Sequence, residues 1–148
     1  PEIIAVNIEK STTSITKIES SKSYSARYSL PKKYLYEPNA ALMKSGGFEA
    51  VSELFTVSKL HQHSHLYTTE EITAFPGRKF QIDAMIPFQK KEIVHYIQGK
   101  KMNVSTRNFP IKPEEIKKKY KIQDGGTVFA FFTTNLNNEK IILLCTKL

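Results

Sequence analysis

The chain has 148 residues, 40% hydrophobic and 24% charged, with a formal net charge of +8. That length supports one ordinary domain, or a domain with an appendage, and buries roughly 68 to 70% of the unfolded surface, so a core needs no staples. One cysteine, Cys145, excludes an intramolecular disulfide. No apolar run is long enough to cross a bilayer, and a pI near 9.5 favours polyanionic partners. A cytoplasmic location and no membrane contact are expected on these grounds.

The chain opens at Pro1 on IIAVNIE, as expected of a piece cut from a longer protein. Glu2 to Glu9 is apolar on both faces, which predicts a covered strand. Ser11 to Ser14 supply a turn and Ile15 to Ile18 a partner strand. Such a hairpin is marginal alone and is expected to pack on neighbouring protein. Glu19 to Lys33 is polar, with Tyr24, Ala26 and Tyr28 alternating, and reads as a weak edge strand or a linker.

In YLYEPNAALMKSGGFEAVSELF, Pro38 biases Glu37 away from helix and is expected to start one. Ala40 to Met43, capped by Gly46 and Gly47, and then Phe48, Val51, Leu54 and Phe55, predict a small helical hairpin. In KLHQHSHLYTT, His61, His63 and His65 fall at every second position, which on a strand puts three imidazoles on one face. Spacing of about 7 Å along that face is long for one metal ion, so a polar strand face is expected and no metal site.

Phe75 to Arg78 form a turn into the most informative stretch. Phe80, Ile82, Ala84 and Ile86 alternate as a half-buried strand, and Ile93, Tyr96 and Ile97 recur at helical spacing up to Gly99. Met102, Val104 and Thr106 resume alternation, leaving Lys101, Asn103, Ser105 and Arg107 on an exposed face. Pro113 opens a second helix, KPEEIKKKYK, with acids in its first turn and lysines at its end. Val128 to Thr134 and Lys140 to Thr146 flank a polar hairpin loop, and IILLC, apolar on both faces, belongs mid-sheet. The fold class is α/β (α+β), βαβαββ in the second half with helices on one face of a mixed sheet. The first strand, helix and second strand are expected to form a parallel right-handed unit.

Between Phe88 and Lys121 ten Lys or Arg face three Glu, so +7 of the net +8 sits there. Arg107 and Lys117, Lys118, Lys119 and Lys121 are expected to share a surface. Two readings stand: a phosphate-binding face for nucleic acid, or a solvated helix whose lysines suit its negative end. No glycine-rich phosphate loop, nucleophile elbow or CxxC pair is present. Cys145 reads as a buried inert thiol, and Glu37 as a helix cap or, less blandly, an acid of a site. No catalytic constellation assembles, so no chemistry is expected of this chain alone.

The order YLYEPNAALMKSGGF, KLHQHSHLYTT, FPGRKF, VSTRNFPIKPEEIKKKYKIQDGG resembles the THUMP-like domain that closes a family of bacterial class I S-adenosylmethionine-dependent methyltransferases. The resemblance spans Tyr34 to Leu148. It implies a domain over residues 30–148, preceded in 1–29 by a terminal hairpin or connection from an upstream methyltransferase domain, which would bind S-adenosylmethionine. It implies a non-catalytic RNA-recognition module delivering tRNA or rRNA to that domain. The alternative is a structural domain that stabilises the catalytic one. Carried over from the resemblance as RNA-binding residues are Arg78, Arg107, Asn108, Phe109 and Pro110, with Phe109 stacking on an unpaired base while Arg107 holds phosphate, and the charge pattern adds Lys101, Lys117, Lys118, Lys119 and Lys121. Tyr36, Glu37, Pro38 and Asn39 would form a domain interface or site.

Overall fold

The computed structural model describes the backbone of residues 2–9 and 12–19 and the whole of residues 24–148. Strands β1 (Glu2–Glu9) and β2 (Thr12–Glu19) form the expected antiparallel hairpin. Of the expected Ser11 to Ser14 turn, Thr12 to Ser14 instead belong to β2, paired with Glu9 to Asn7, while Ser11 and the faces of these strands lie outside the described residues.

Twelve elements follow: β3 (Arg27–Tyr28), β4 (Tyr34–Pro38), α1 (Ala40–Ser45), α2 (Phe48–Phe55), β5 (Ser58–Lys59), β6 (Tyr67–Thr69), β7 (Gly77–Pro87), α3 (Lys90–Tyr96), β8 (Asn103–Arg107), α4 (Pro113–Lys119), β9 (Val128–Thr134) and β10 (Lys140–Lys147). Strands β3 to β10 form one mixed sheet in the order β3-β5-β6-β4-β7-β10-β9-β8. The βαβαββ order of the second half is as expected. The pairing differs in one respect: β7 and β8 run parallel but are not neighbours, because β10 and β9 lie between them. The adjacent parallel unit is β8-α4-β9. β10, apolar on both sides, takes a central place, since only there are both faces covered.

One face of the sheet carries the helices. Ile93, Ile97 and Ile116 pack there with Met102, Ala130, Phe132 and Ile142, while α1 and α2 bring Leu42 and Val51 onto Tyr36 and Tyr67 of the same face. The other face buries Leu35, Phe80, Phe131, Leu143 and Cys145 under Leu60 and Leu66. Phe80, Ile82, Ala84 and Ile86 do not share one face as alternation predicts. Leu144 pairs with Ala84 but Cys145 pairs with Ile82, so a bulge at Asp83 shifts the parity. Phe80 and Ile82 then face the Leu35 side and Ile86 the helices.

Pro38 ends β4 rather than starting a helix. The helix start is Asn39, whose Oδ1 accepts from the Leu42 N–H at 3.0 Å, and Gly46, at φ 71°, closes α1.

Candidate functional site

The lysines gather at one end of α4. Ile116 anchors the helix in the core, Glu114 and Glu115 occupy its first turn, and Lys117, Lys118 and Lys119 its last. Beyond it the Tyr120 carbonyl accepts from the Gly99 N–H at 2.9 Å, and Lys101 bridges to Gln123. These bonds bring Lys100, Lys101 and Lys121 to the same end. Lys118, Lys119, Lys121, Lys100 and Lys101 are exposed. Among the described residues the one ion pair in this group is Lys117 to Asp124 at 3.1 Å, and that aspartate is well exposed. Six lysines thus meet Asp124, paired with Lys117, and Glu114 and Glu115 one turn away, with Glu115 lining the same hollow as Lys118 and Lys119, and solvent screens the repulsion among them.

Arg107 does not join them, contrary to the expected common surface. On β8 it stands opposite Thr133, in phase with Ser105 opposite Phe131, and therefore on the Leu35 side of the sheet. α4 lies on the other side. Along the strand Arg107 is also six residues, about 20 Å, from Lys101. The stripe Asn103, Ser105, Arg107 does share a face as predicted, but it is half-buried.

Arg107 instead pairs with Glu37, seventy residues away. Glu37 is only 6% exposed, and its Oε2 accepts from Arg107 Nη2 at 2.6 Å. Its Oε1 accepts from Arg78 Nε at 2.6 Å and lies 2.6 Å from Nη2 of the same guanidinium. Arg78 also lies over the Phe80 ring, 5.2 Å from its centre. One carboxylate thus neutralises one of two guanidiniums, and Glu37 is not the helix cap. Arg78 reaches it because β4 and β7 pair Glu37 with Arg78, and a Cβ on neighbouring Gly77 would overlap the Glu37 carbonyl, so the FPGR turn requires glycine there.

The other candidates are distributed as follows. Tyr36 is core, its hydroxyl 2.7 Å from Thr69 Oγ1. Pro38 is buried and Asn39 caps α1. Asn108 adopts φ 54°, and its carbonyl accepts from Thr134 Oγ1 at 2.7 Å. Phe109 is half-buried and meets Phe88 and Phe132 edge-on at 5.0 and 5.6 Å, so its ring is committed to packing rather than presented for stacking. Pro110 is exposed.

The three histidines are not on a strand. β5 stops at Lys59 and β6 begins at Tyr67, so His61, His63 and His65 occupy the loop between them. His61 Nε2 meets Asn138 Oδ1 at 2.8 Å, and its Nδ1 accepts from the His63 N–H at 3.0 Å. No three His, Cys, Asp or Glu come together for a metal among the described residues. What holds the loop was missed from sequence: Lys59, wholly buried, donates to the Gln62 carbonyl at 2.8 Å and lies 3.1 Å from His65 Nδ1. Burial lowers the Lys59 pKa, with Glu49 opposing. His65, stacked on Phe48 at 3.6 Å, is lowered to about 4, chiefly by desolvation and then by the Lys59 charge. Burial pushes the Cys145 thiol up to about 12, which removes it as a nucleophile near neutrality.

Comparison with known proteins divides the stretch expected to be one domain at Gly77. Residues 34–76 match a ferredoxin-like domain model, and residues 77–147 match a model described as THUMP domain-like. A crystal structure described as that of a candidate methyltransferase from Porphyromonas gingivalis W83 is 36% identical, with a TM-score of 0.80 over 99% of this chain. The chain spans 38% of that protein's chain. No curated protein matches. No helix among the described residues is long and apolar enough to cross a membrane.

Proposed function

We propose that this chain, whose residues 77–147 form a THUMP-like domain, is the RNA-recognition module of an S-adenosylmethionine-dependent methyltransferase and delivers tRNA or rRNA without doing chemistry itself. The observation that supports this reading is the lysine cluster where α4 ends and β8 begins, six cations against the paired Asp124 and the two glutamates in the first turn of α4. Phosphate oxygens are the partners such a cluster is suited to, because lysines act as point charges and release counterions on binding. The relative described as a methyltransferase is much longer than the stretch this chain covers, which leaves room there for a donor-binding domain. S-adenosylmethionine is assigned to such an upstream domain. This sequence has no glycine-rich strand-to-helix loop to cradle it.

Titration with bulk tRNA or rRNA at 50 and 200 mM salt tests the reading. If all six lysines meet phosphates, the slope of log affinity against log salt is about −5, and affinity falls roughly a thousandfold over that fourfold change. Absence of binding at low salt, or salt-independent binding, contradicts it and leaves a scaffold for the catalytic domain as the better account.

A further inference from the structure

The loop between β5 and β6 is wound around one ammonium group. Lys59 is wholly buried at the end of β5, and its Nζ donates to the Gln62 carbonyl at 2.8 Å and lies 3.1 Å from His65 Nδ1. An ammonium carries hydrogens only, so this contact fixes the imidazole: Nδ1 keeps a lone pair and the ring proton sits on Nε2. The stack of His65 on Phe48 of α2 holds the ring in that pose, and Lys59 Nζ lies 5.2 Å from the centre of the same Phe48 ring.

The loop also fastens the ferredoxin-like segment to the THUMP-like one. Ser64, buried, donates through Oγ to the Thr134 carbonyl at 2.6 Å, and His61 Nε2 meets Asn138 Oδ1 at 2.8 Å. Leu60 and Leu66, joined by a backbone bond of 3.0 Å, close the core face made by Leu35, Phe131 and Leu143.

We infer that this loop is an acid-released latch: a proton taken up at His65 Nδ1 faces the Lys59 ammonium across 3.1 Å, and the loop opens rather than hold two cations together. The surroundings of the imidazole supply no compensation for that charge. Burial opposes a positive ring most, followed by Lys59 of β5 and His63 of the loop, with Arg107 of β8 adding to them; Glu49 of α2 alone favours it, and it is exposed and screened. Opening returns His65 from about 4 to its ordinary 6.5, so the ratio of open to closed loop rises about fiftyfold between pH 7 and 4.5.

Native-state hydrogen exchange on the 148-residue chain, read amide by amide by NMR and corrected for intrinsic exchange, tests the latch. The reporters are Leu60 and Ser64, whose N–H groups bond within the loop, against the amides of β10. Protection at the loop is expected to be lower than in β10 and to fall about fiftyfold from pH 7 to 4.5. His65→Asn keeps an acceptor for Lys59 and tolerates the backbone φ of 47° but takes up no proton, so its loop protection is expected to change less than about fivefold. Loop amides that exchange only together with β10 at both pH values overturn the latch, and that comparison stands on wild type alone. A fall of the same size in His65→Asn overturns it as well.

Discussion

Removal of the Glu37 carboxylate is the perturbation whose cost the structure defines best. The side chain is 8% exposed and faces two guanidiniums that are 35% and 28% exposed. Breaking a fully buried ion pair costs about 3 to 5 kcal/mol and an exposed one under about 1 kcal/mol. Arginines a third exposed are partly rehydrated on losing their partner, so Glu37→Ala is expected to cost about 2 to 4 kcal/mol. Total stability for this length is about 7 to 15 kcal/mol, so the variant folds but is visibly weakened. Arg107→Ala is expected to cost less, because Arg78 still neutralises Glu37, and a double-mutant cycle between Glu37 and Arg107 should give a coupling of about 1 to 3 kcal/mol. The chain has no tryptophan, so urea unfolding is followed by circular dichroism. Because Glu37 lies in the ferredoxin-like segment and both arginines in the THUMP-like one, a single cooperative transition is expected. A loss below about 0.5 kcal/mol for Glu37→Ala refutes the reasoning about this triad, and two separated transitions in wild type would contradict the β4–β7 pairing that joins the two segments in one sheet.

Two further outcomes follow from buried groups. His65 titrates near 4 in the folded chain, below its ordinary 6.5, so the folded state binds fewer protons in that window. The stability it contributes is therefore full above about pH 6.5 and declines as pH falls towards 4. His65→Asn, which tolerates the φ of 47°, should flatten that decline in urea midpoints measured at pH 7 and 4.5. Cys145, with its thiol held near 12, should resist alkylation by iodoacetamide at pH 8 until urea unfolds the chain. Rapid labelling of the native protein would contradict its burial.

The elements with strong local patterns were legible from sequence: β9 and β10 with their polar loop, α4 with its acids and lysines at opposite ends, and the two short helices α1 and α2 separated at Gly46 and Gly47, although these do not pack against each other as the expected hairpin. The bulge at Asp83 was not, because an uninterrupted apolar alternation looks the same whether or not the partner strand skips a residue. β4 was obscured by Pro38, whose helix-starting signal was stronger than the strand propensity of the Tyr-rich run before it. The histidine spacing imitated a strand, whereas the loop is set by a lysine amine buried beneath it. Arg107 was expected in phase with Asn103 and Ser105, as found, but on an exposed surface shared with α4; its partner lies seventy residues earlier, on the other face, and no local pattern signals that pairing.

The claim that the lysine cluster holds RNA is tested most directly by the salt dependence of bulk tRNA binding for Lys117→Ala/Lys118→Ala/Lys119→Ala against wild type. The slope should lose about 2 to 3 units, affinity should fall by a similar factor for unrelated RNAs, and the circular dichroism spectrum should be preserved, since the aliphatic core contact of α4 is Ile116. A folded triple variant with unchanged slope would contradict the assignment and place the RNA elsewhere on the protein.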